Sequence, residues 1–349
     1  EAISLSREAA EKSMVLLKND DILPFNKKQK MLLCGPFVDS KDVIGEWAGL
    51  SSKDDVTTIY EAFQKDQKLD VIIGDNDTQI LEADVILMAL GEPSHEAGEG
   101  NSKTNLYLDQ KQVDDFNRIQ KLNPNIVVVI FGGRPLMIRE FDALAKAILY
   151  AYQPGMQAGE AIKNLLMGDV SPSAKLTMTF PYHEGQIPIY YNHYQTGRPL
   201  DPLNSHYRYN SHYRDCQNEP LYPFGYGLSY ADFKYENLRI SQQKLTKYDK
   251  LMIQIDIINN SDIQADEIIQ CYIEALVFSV TRPVNELKKF KRVSFKPREK
   301  KTVSFEMNMD DFRSYNIDMV WTAEHRSYKI KVGPSSNQLL EKEIEVIDQ

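Results

Sequence analysis

Residues 85–112 have the sequence VILMALGEPSHEAGEGNSKTNLYLDQKQ, in which an apolar run is followed by a polar stretch and then by helix signals. The run at 85–90 is apolar at every position, which predicts a strand buried on both faces. Asp109 is placed to cap a helix, and Gln112 is placed to complete a capping box with it. Strand, loop and helix in this order predict one unit of a mostly parallel α/β sheet.

The segments around this stretch repeat the same alternation. Short apolar runs, each predicted to be a buried strand, lie at 31–34, 71–73, 126–131 and 147–151. A further helix is predicted from Ala158 to Met167 and is expected to end at Gly168. We therefore predict an α/β sandwich with a mostly parallel sheet over residues 21–182, preceded by an amphipathic linker helix over residues 1–20.

The hydrophobic period changes to two near residue 235. Short strands, several of them with apolar residues at every second position, are predicted at 251–258, 268–274, 291–295, 301–308 and 328–332. Strands of this kind, separated by turn residues, are typical of an antiparallel β-sandwich. We predict an all-β sandwich of the immunoglobulin or fibronectin III type over residues 231–349.

Residues 183–230 are predicted to form an irregular connection between these two domains. Prolines interrupt this segment, and ten of the 19 tyrosines lie between Tyr182 and Tyr230. The tyrosines could pack within the protein or offer stacking surfaces to sugar rings. We favour packing, because tyrosine is common wherever one end of a buried side chain must stay hydrated.

Composition and charge exclude several classes of protein. The 349 residues carry 41 basic and 50 acidic side chains, a net charge of −9, which argues against a nucleic-acid partner. No apolar stretch is long enough to predict a membrane helix, so we expect no membrane partner. The hydrophobic content of 42% is that of an ordinary folded protein.

Cysteine and histidine spacing indicates neither a metal site nor a disulfide scaffold. Cys34, Cys216 and Cys271 are far apart and form no CxxC pair. The six histidines show no HExxH pattern. We therefore expect no metal and no cofactor.

The loop after the strand at 85–90 is the strongest candidate for chemistry. In open parallel sheets, sites lie at the carboxyl ends of strands, and this loop carries Glu92, His95, Glu96 and Glu99. Crowding and burial raise the pKa of a carboxyl group, and a protonated Glu can act as a general acid. A solvated acidic loop without chemistry remains the alternative from these residues alone.

The segment Gly132-Gly133-Arg134-Pro135 follows another predicted strand. It lacks the spacing of GxGxxG and of GxxxxGK[ST], so it does not predict a nucleotide site. Arg134 is expected to be a structural or a site-lining side chain.

Several segments, in this order along the chain, resemble family 3 glycoside hydrolases of the β-glucosidase type. Among the matching segments are ILPF (22–25), ADVILMALGE (83–92), EGNSKTNLYLDQKQ (99–112), PNIVVVIFGGRPL (124–136), GQIPIYYNHYQTGRP (185–199) and YPFGYGLSY (222–230). The resemblance implies a retaining hydrolase built from an N-terminal (β/α)8-like barrel, an α/β sandwich and a fibronectin type III-like tail. The barrel would supply an Asp nucleophile, and the α/β sandwich would supply the acid/base Glu.

Only the last two of these domains are expected in this chain, because residues 1–20 resemble the end of the linker that follows the barrel. About 250 residues of barrel would then be absent. The absent barrel of the same protein and a β-glucoside substrate are the implied partners. We expect the chain alone to be inactive.

The family pattern places the acid/base at Glu99, with Glu96 as the runner-up. Glu99 precedes Ser102-Lys103-Thr104, where the family usually has Ser-Arg-Thr, and Asn105 stands where Asp is usual. The resemblance implies that Glu92, His95, Lys103, Asn105 and Arg134 line the substrate site.

Two functions of different classes follow from the sequence. The first is the acid/base half of a β-glucosidase acting on terminal β-D-glucosyl or xylosyl residues. The second is a non-catalytic sugar-binding or structural module. The few cysteines favour a cytoplasmic location, with a secreted or periplasmic location as the alternative.

Overall fold

The computed structural model describes residues 1–49, 51–96, 98–200 and 207–347. They form two compact units, the first made of Glu1–Lys175 and Gly227–Tyr230, the second of Leu176–Tyr226 and Ala231–Gln349. The first is a mixed α/β unit and the second is rich in β-strands, as the hydrophobic periods predict.

The α/β unit alternates helices and strands along the chain. In order they are α1 (Ala2–Glu11), β1 (Val15–Asn19), β2 (Lys30–Cys34), α2 (Ile59–Gln64), β3 (Asp70–Ile73), α3 (Asp77–Glu82), β4 (Val85–Gly91), α4 (Gln110–Leu122), β5 (Ile126–Phe131), α5 (Arg139–Leu144), β6 (Ala147–Tyr152) and α6 (Ala158–Met167). The five predicted apolar runs form β2 to β6, and α6 ends at Gly168 in the left-handed conformation, as predicted.

These strands form one six-stranded sheet in the order β1-β6-β5-β4-β2-β3. Strands β2 to β6 all run parallel to one another, and the edge strand β1 runs antiparallel to β6. All seven residues of β4 and all six of β5 are buried, because helices cover both faces of a parallel sheet. The loops after β4 and β5 therefore leave the sheet side by side.

Two hydrophobic layers flank the sheet. On one face the alternate residues of β4, including Leu87 and Ala89, pack in a core with Phe63 of α2 and Ile162 of α6. The other face carries α4 and α5, where the ring of Phe116 meets that of Phe141 edge-on.

The N-terminal twenty residues differ from the prediction of a single helix. Helix α1 ends at Glu11, and residues 15–19 form β1 at the edge of the sheet. Val15, Leu16 and Leu17 are each at most 1% exposed. Three successive buried side chains require a strand with both faces covered, whereas a surface helix would bury only one stripe.

The second unit holds the remaining strands of the described chain. They are β7 (Phe233–Ile240), β8 (Lys244–Leu245), β9 (Leu251–Asn259), β10 (Ala265–Ala275), β11 (Glu286–Phe295), β12 (Lys300–Met307), β13 (Ser314–Tyr315), β14 (Trp321–Thr322), β15 (Ser327–Ser335) and β16 (Gln338–Val346). Five form the sheet β11-β10-β15-β16-β8, three form the sheet β12-β9-β7, and β13 and β14 form a hairpin.

The inward faces of these sheets share one core. Alternate residues of β9, from Leu251 to Ile257, are fully buried and pack with the buried Val303 and Phe305 of β12, as the period of two predicts. The strand pairs of these sheets are antiparallel, as predicted, except at one edge, where β8 pairs with β16 in parallel. That pairing involves only two residues of β8, too few for a periodic signal.

The tyrosine-rich segment belongs to the second unit up to Tyr226. The ring of Tyr191 stacks on Phe224 with centroids 4.2 Å apart and meets the edge of Tyr272 in β10. These contacts support the packing interpretation for this part of the segment. Predictions that fall on residues 201–206 lie outside the described residues. No described helix combines the length and the apolar character needed to cross a bilayer.

Candidate active-site loop

The loop that carries the predicted acid/base leaves the sheet at the end of β4 and returns to it before α4. Its first residue, Glu92, is 7% exposed and follows directly on the strand. Residues Ser94–Glu96 form a single turn of 3-10 helix, which places His95 at the surface. The loop ends at Asp109, whose side chain accepts a hydrogen bond from the backbone N–H of Lys111 and caps α4.

Gln112 ties the two ends of this loop together. Its Oε1 accepts a hydrogen bond of 2.9 Å from the N–H of Gly91, and its Nε2 donates one of 2.8 Å to the carbonyl of Gly91. The predicted capping box with Asp109 is therefore wrong, because the Gln112 amide is engaged with the backbone at the end of β4. This pairing satisfies the last backbone groups of the strand, which have no further ladder partner on this side.

Arg134, after β5, forms a two-pronged ion pair with Glu92. Nε of Arg134 lies 3.0 Å from Oε2 of Glu92, and Nη2 lies 2.6 Å from Oε1. The same guanidinium donates to the backbone carbonyls of Lys103, at 3.1 Å, and of Asn105. The side chains of Arg134 and Glu92 are 17% and 4% exposed. Four hydrogen bonds from one planar group therefore join β5, the start of the loop and its end.

Lys103 adds a second cation to the same cluster. Its Nζ lies 3.1 Å from Oε1 of Glu92 and also contacts Oε2 of Glu96. Lys103 therefore pairs with the carboxylate at the start of the loop and with one in its 3-10 turn. The Oδ1 of Asn105 accepts a hydrogen bond from the N–H of Tyr107 within its own turn.

The charges in this cluster change the pKa of its members in opposite directions. Burial alone would raise the pKa of Glu92, but hydrogen bonds and charges from Arg134 and Lys103 outweigh it and lower the pKa. Burial alone would lower the pKa of Lys103, but Glu96 and Glu92 raise it. Crowding was expected to raise the pKa of a carboxyl group in this loop, and for Glu92 that expectation is wrong because two cations neutralise it.

Glu99 lies within the exposed stretch of the loop, which spans residues 98–105. Its side chain is exposed, and no hydrogen bond or ion pair joins it to another of the described residues. Gly98 and Gly100 on either side have φ of +123° and +78°. Backbone in this region is strained for residues with a side chain, so the two glycines allow the sharp excursion that presents Glu99.

A second loop, after β2, supports the acid/base loop from one side. The carboxylate of Asp42 accepts hydrogen bonds from the N–H and the hydroxyl of Ser94, at 3.0 and 2.6 Å, and pairs with Lys53. Close to Glu99, a Cβ built on Gly98 would lie 3.3 Å from Nε1 of Trp47, whose side chain is 73% exposed. Sequence reasoning missed both Asp42 and Trp47, because nothing in the local pattern links residues about fifty positions apart.

A cavity of about 400 Å³ opens beside this cluster. Four of the predicted site residues line it, namely Glu92, Glu96, Lys103 and Asn105. Among the described residues that line the cavity, Glu99, His95 and Arg134 do not appear. The structure thus brings most of the predicted residues to one edge of the sheet, whereas Glu99 is exposed and does not line this cavity.

Comparison with known proteins agrees with the fold. Residues 14–230 match the model of the glycosyl hydrolase family 3 C-terminal domain, and residues 267–336 match that of the fibronectin type III-like domain. A protein named periplasmic beta-glucosidase from Salmonella typhimurium is 32% identical over 98% of this chain and 50% of its own length. A beta-xylosidase from Formosa agariphila is 31% identical over 94% of this chain and 48% of its own length.

A solved structure shows the same likeness. The beta-glucosidase from Listeria innocua in complex with isofagomine superposes with a TM-score of 0.95 at 35% identity, over 99% of this chain and 50% of that chain. The chain therefore spans about half the length of the relatives it matches. On these grounds the chain belongs to glycoside hydrolase family 3, within which it corresponds to the C-terminal domain followed by the fibronectin type III-like domain.

Proposed function

We propose that Glu99 is the general acid/base of a retaining β-glucosidase and that a domain outside these 349 residues supplies the Asp nucleophile. The observation that carries the proposal is the placement of Glu99, an exposed carboxyl group on a braced loop at the carboxyl end of β4, with no hydrogen bond or ion pair to the described residues. Glu96, the runner-up, is engaged with Lys103, whereas Glu99 is available to a substrate.

The proposed reaction has two steps. First, the nucleophile carboxylate attacks the anomeric carbon, the glycosidic C–O bond breaks, and the proton of Glu99 moves to the leaving oxygen. Then ionised Glu99 takes a proton from water, the water oxygen bonds to the anomeric carbon, and the nucleophile leaves. The anomeric configuration is retained because each step inverts it once.

The substrates we propose are terminal β-D-glucosyl or β-xylosyl residues. The names of the Salmonella and Formosa relatives support these two sugars. The exposed indole of Trp47 beside Gly98 offers an apolar face of the kind that sugar rings pack against, and it adjoins the residue proposed to protonate the leaving group. The compartment stays a prediction: cysteine usage favours the cytoplasm, and the name of the Salmonella relative favours the periplasm.

The test is Glu99→Ala in a protein that contains both this chain and the nucleophile domain. Without its acid, the enzyme should lose about 10²- to 10⁴-fold in kcat/KM on a β-glucoside with a poor leaving group, and much less on an activated aryl glucoside. Azide, which needs no general base, should restore turnover of the activated substrate and yield β-glucosyl azide.

The matched control is Glu96→Ala, which removes a carboxyl group three positions away in the same loop. It should leave the leaving-group dependence close to that of the unaltered enzyme. If Glu99→Ala cleaves both substrates normally and Glu96→Ala shows the defect and the azide product, Glu96 is the acid/base. If neither variant changes turnover, the non-catalytic sugar-binding or structural module is the better description of this domain.

A further inference from the structure

One guanidinium binds both stems of the loop that presents Glu99: the leaving stem at Glu92, and the returning stem at Lys103 and Asn105. Arg134 pairs with Glu92 where the loop leaves β4, and it also binds the carbonyls of Lys103 and Asn105 where the loop returns. We propose that Glu92 and Arg134 form a clamp, the Glu92–Arg134 clamp, that positions Glu99 for proton transfer. They are then positioning residues that act through Glu99, and the inference rests on the proposed role of Glu99.

The geometry of the clamp requires an arginine. Nε and Nη2 of Arg134 reach the two oxygens of Glu92 at 3.0 and 2.6 Å, while Nη1 reaches the carbonyl of Lys103 at 3.1 Å. Bonds to three different groups in one plane need the rigid fork of a guanidinium. The ammonium group of a lysine has the same charge, but its three donors all leave one nitrogen, so it cannot reproduce the four bonds of this fork.

The clamp is buried, and it is closed by a second cation. Glu92 has 4% of its side chain exposed and also pairs with Nζ of Lys103, which belongs to the returning stem. Each stem is therefore held by side chain as well as by backbone contacts. A neutral side chain at position 92 would leave Arg134, whose side chain is 17% exposed, without the carboxylate with which it is paired.

The Glu99 side chain has no polar anchor of its own among the described residues, so its position depends on the stems. Gly98 and Gly100 both have positive φ, and no hydrogen bond or ion pair joins the Glu99 side chain to another of the described residues. Proton transfer requires the acid within hydrogen-bond reach of the leaving oxygen, and a displacement of about 1 Å can cost about 10²-fold in rate. A loosened clamp should therefore reduce acid catalysis specifically.

The experiment compares Arg134→Lys and Glu92→Gln with the unaltered enzyme, again with the nucleophile domain present. For the substrate with the poor leaving group, kcat/KM should fall about 10²-fold, and for the activated substrate only a few-fold. A change that merely destabilised the fold would reduce both rates by the same factor. Equal losses on the two substrates, or no loss on either, would overturn the proposal.

The matched control is Arg118→Lys in α4. Arg118 also pairs with a carboxylate, Asp77, and donates to a backbone carbonyl, that of Asp75, but it does not touch the loop. The leaving-group dependence of kcat/KM in Arg118→Lys should match that of the unaltered enzyme. A defect as large as that of Arg134→Lys would mean that any lost ion pair in the domain has this effect, and the clamp would have no special role.

Limited proteolysis gives a second measurement that does not depend on activity. In the 349-residue chain, trypsin should cut after Lys103 faster in Arg134→Lys and Glu92→Gln than in the unaltered chain or in Arg118→Lys, because the returning stem has lost its anchor. Unchanged cleavage would contradict the clamp. Glu99→Ala in the same kinetic series separates the two ideas: if it shows the leaving-group defect and the clamp variants do not, only the clamp is refuted.

Discussion

Asp42 shows at the level of a single residue how the acid/base loop is braced. Burial alone would raise the pKa of Asp42, but the hydrogen bonds from Lys53 and Ser94 outweigh it and lower the pKa from 3.8 to about 2. A carboxyl group with a lowered pKa in the folded state stabilises the fold above its unfolded pKa, and this contribution is lost as the pH falls through the folded pKa.

We expect Asp42→Asn to destabilise the α/β unit by about 2 kcal/mol at pH 7, the energy that corresponds to this pKa difference. The gap between the variant and the unaltered chain should narrow as the pH falls from about 4 towards 2, because the native carboxylate then also becomes protonated. Urea unfolding at several pH values measures this. Asp169→Asn, at an exposed position, is the control, and a gap that stays constant with pH would contradict the prediction.

Residue types in the site were predictable, but their pairing was not. The carboxylates of the loop and Arg134 stand out in the sequence as polar residues that follow buried strands. Glu92 and Arg134 are 42 positions apart, and only the parallel neighbours β4 and β5 bring them together. The support from Asp42 depends on a third strand end, that of β2, for which no local pattern gave a signal.

At the level of elements, close approach of backbones determines where helices can sit. The N–H of Gly159, in the first turn of α6, donates a hydrogen bond of 2.9 Å to the carbonyl of Thr57. A Cβ built on Gly159 would lie 2.0 Å from the carbonyl oxygen of Thr58, far inside contact distance. Helix α6 can therefore reach this position only with glycine at residue 159.

We expect Gly159→Ala to destabilise the α/β unit by about 3 kcal/mol, because the helix must shift to admit the methyl group and its packing on the sheet is disturbed. The better helix propensity of alanine, worth about 1 kcal/mol, offsets part of this cost. Urea unfolding measures the difference. Gly197→Ala, where nothing lies within 4 Å of the new Cβ, should change stability little. Equal stability of the two variants would show that α6 adapts freely.

Elements with one strong period were predictable, and those that depend on distant partners were not. Strands β4 and β5 are buried at every position because helices cover both faces, and their length of six or seven residues favours a strand over a helix. The apolar run in β1 also suits a helix, and it becomes a strand only because β6, more than one hundred positions later, offers an edge to pair with. Strand β8 is defined in the same way by β16.

At the level of the whole molecule, the proposed function divides the chemistry between this chain and another domain. Retaining hydrolysis needs two carboxyl groups about 5–5.5 Å apart at one sugar, one as the nucleophile and the other as the acid/base. We propose that only one of them, Glu99, lies in this chain. The other would come from the half of the relatives' length that this chain does not span.

We therefore expect the 349-residue chain alone to show no hydrolysis of an activated aryl β-glucoside. It should also remain unlabelled by a 2-deoxy-2-fluoro-β-glucoside, which traps a nucleophile as a stable covalent adduct. Mass spectrometry of the intact chain and release of the aryl alcohol measure the two. The full protein with both domains is the positive control, and retaining turnover by the isolated chain would refute the division of roles.

The two glycines around Glu99 give the proposed enzyme a tolerance that a rigid loop would not have. The two domains that share this reaction each fold around a core of their own. Small differences in their relative position are therefore expected. The clamp fixes the two ends of the loop, and the backbone freedom of Gly98 and Gly100 lets the Glu99 carboxyl group make only the final small adjustment to the sugar. Replacing Gly98 or Gly100 would then affect the stability of the domain less than the rate of the reaction that the two domains share.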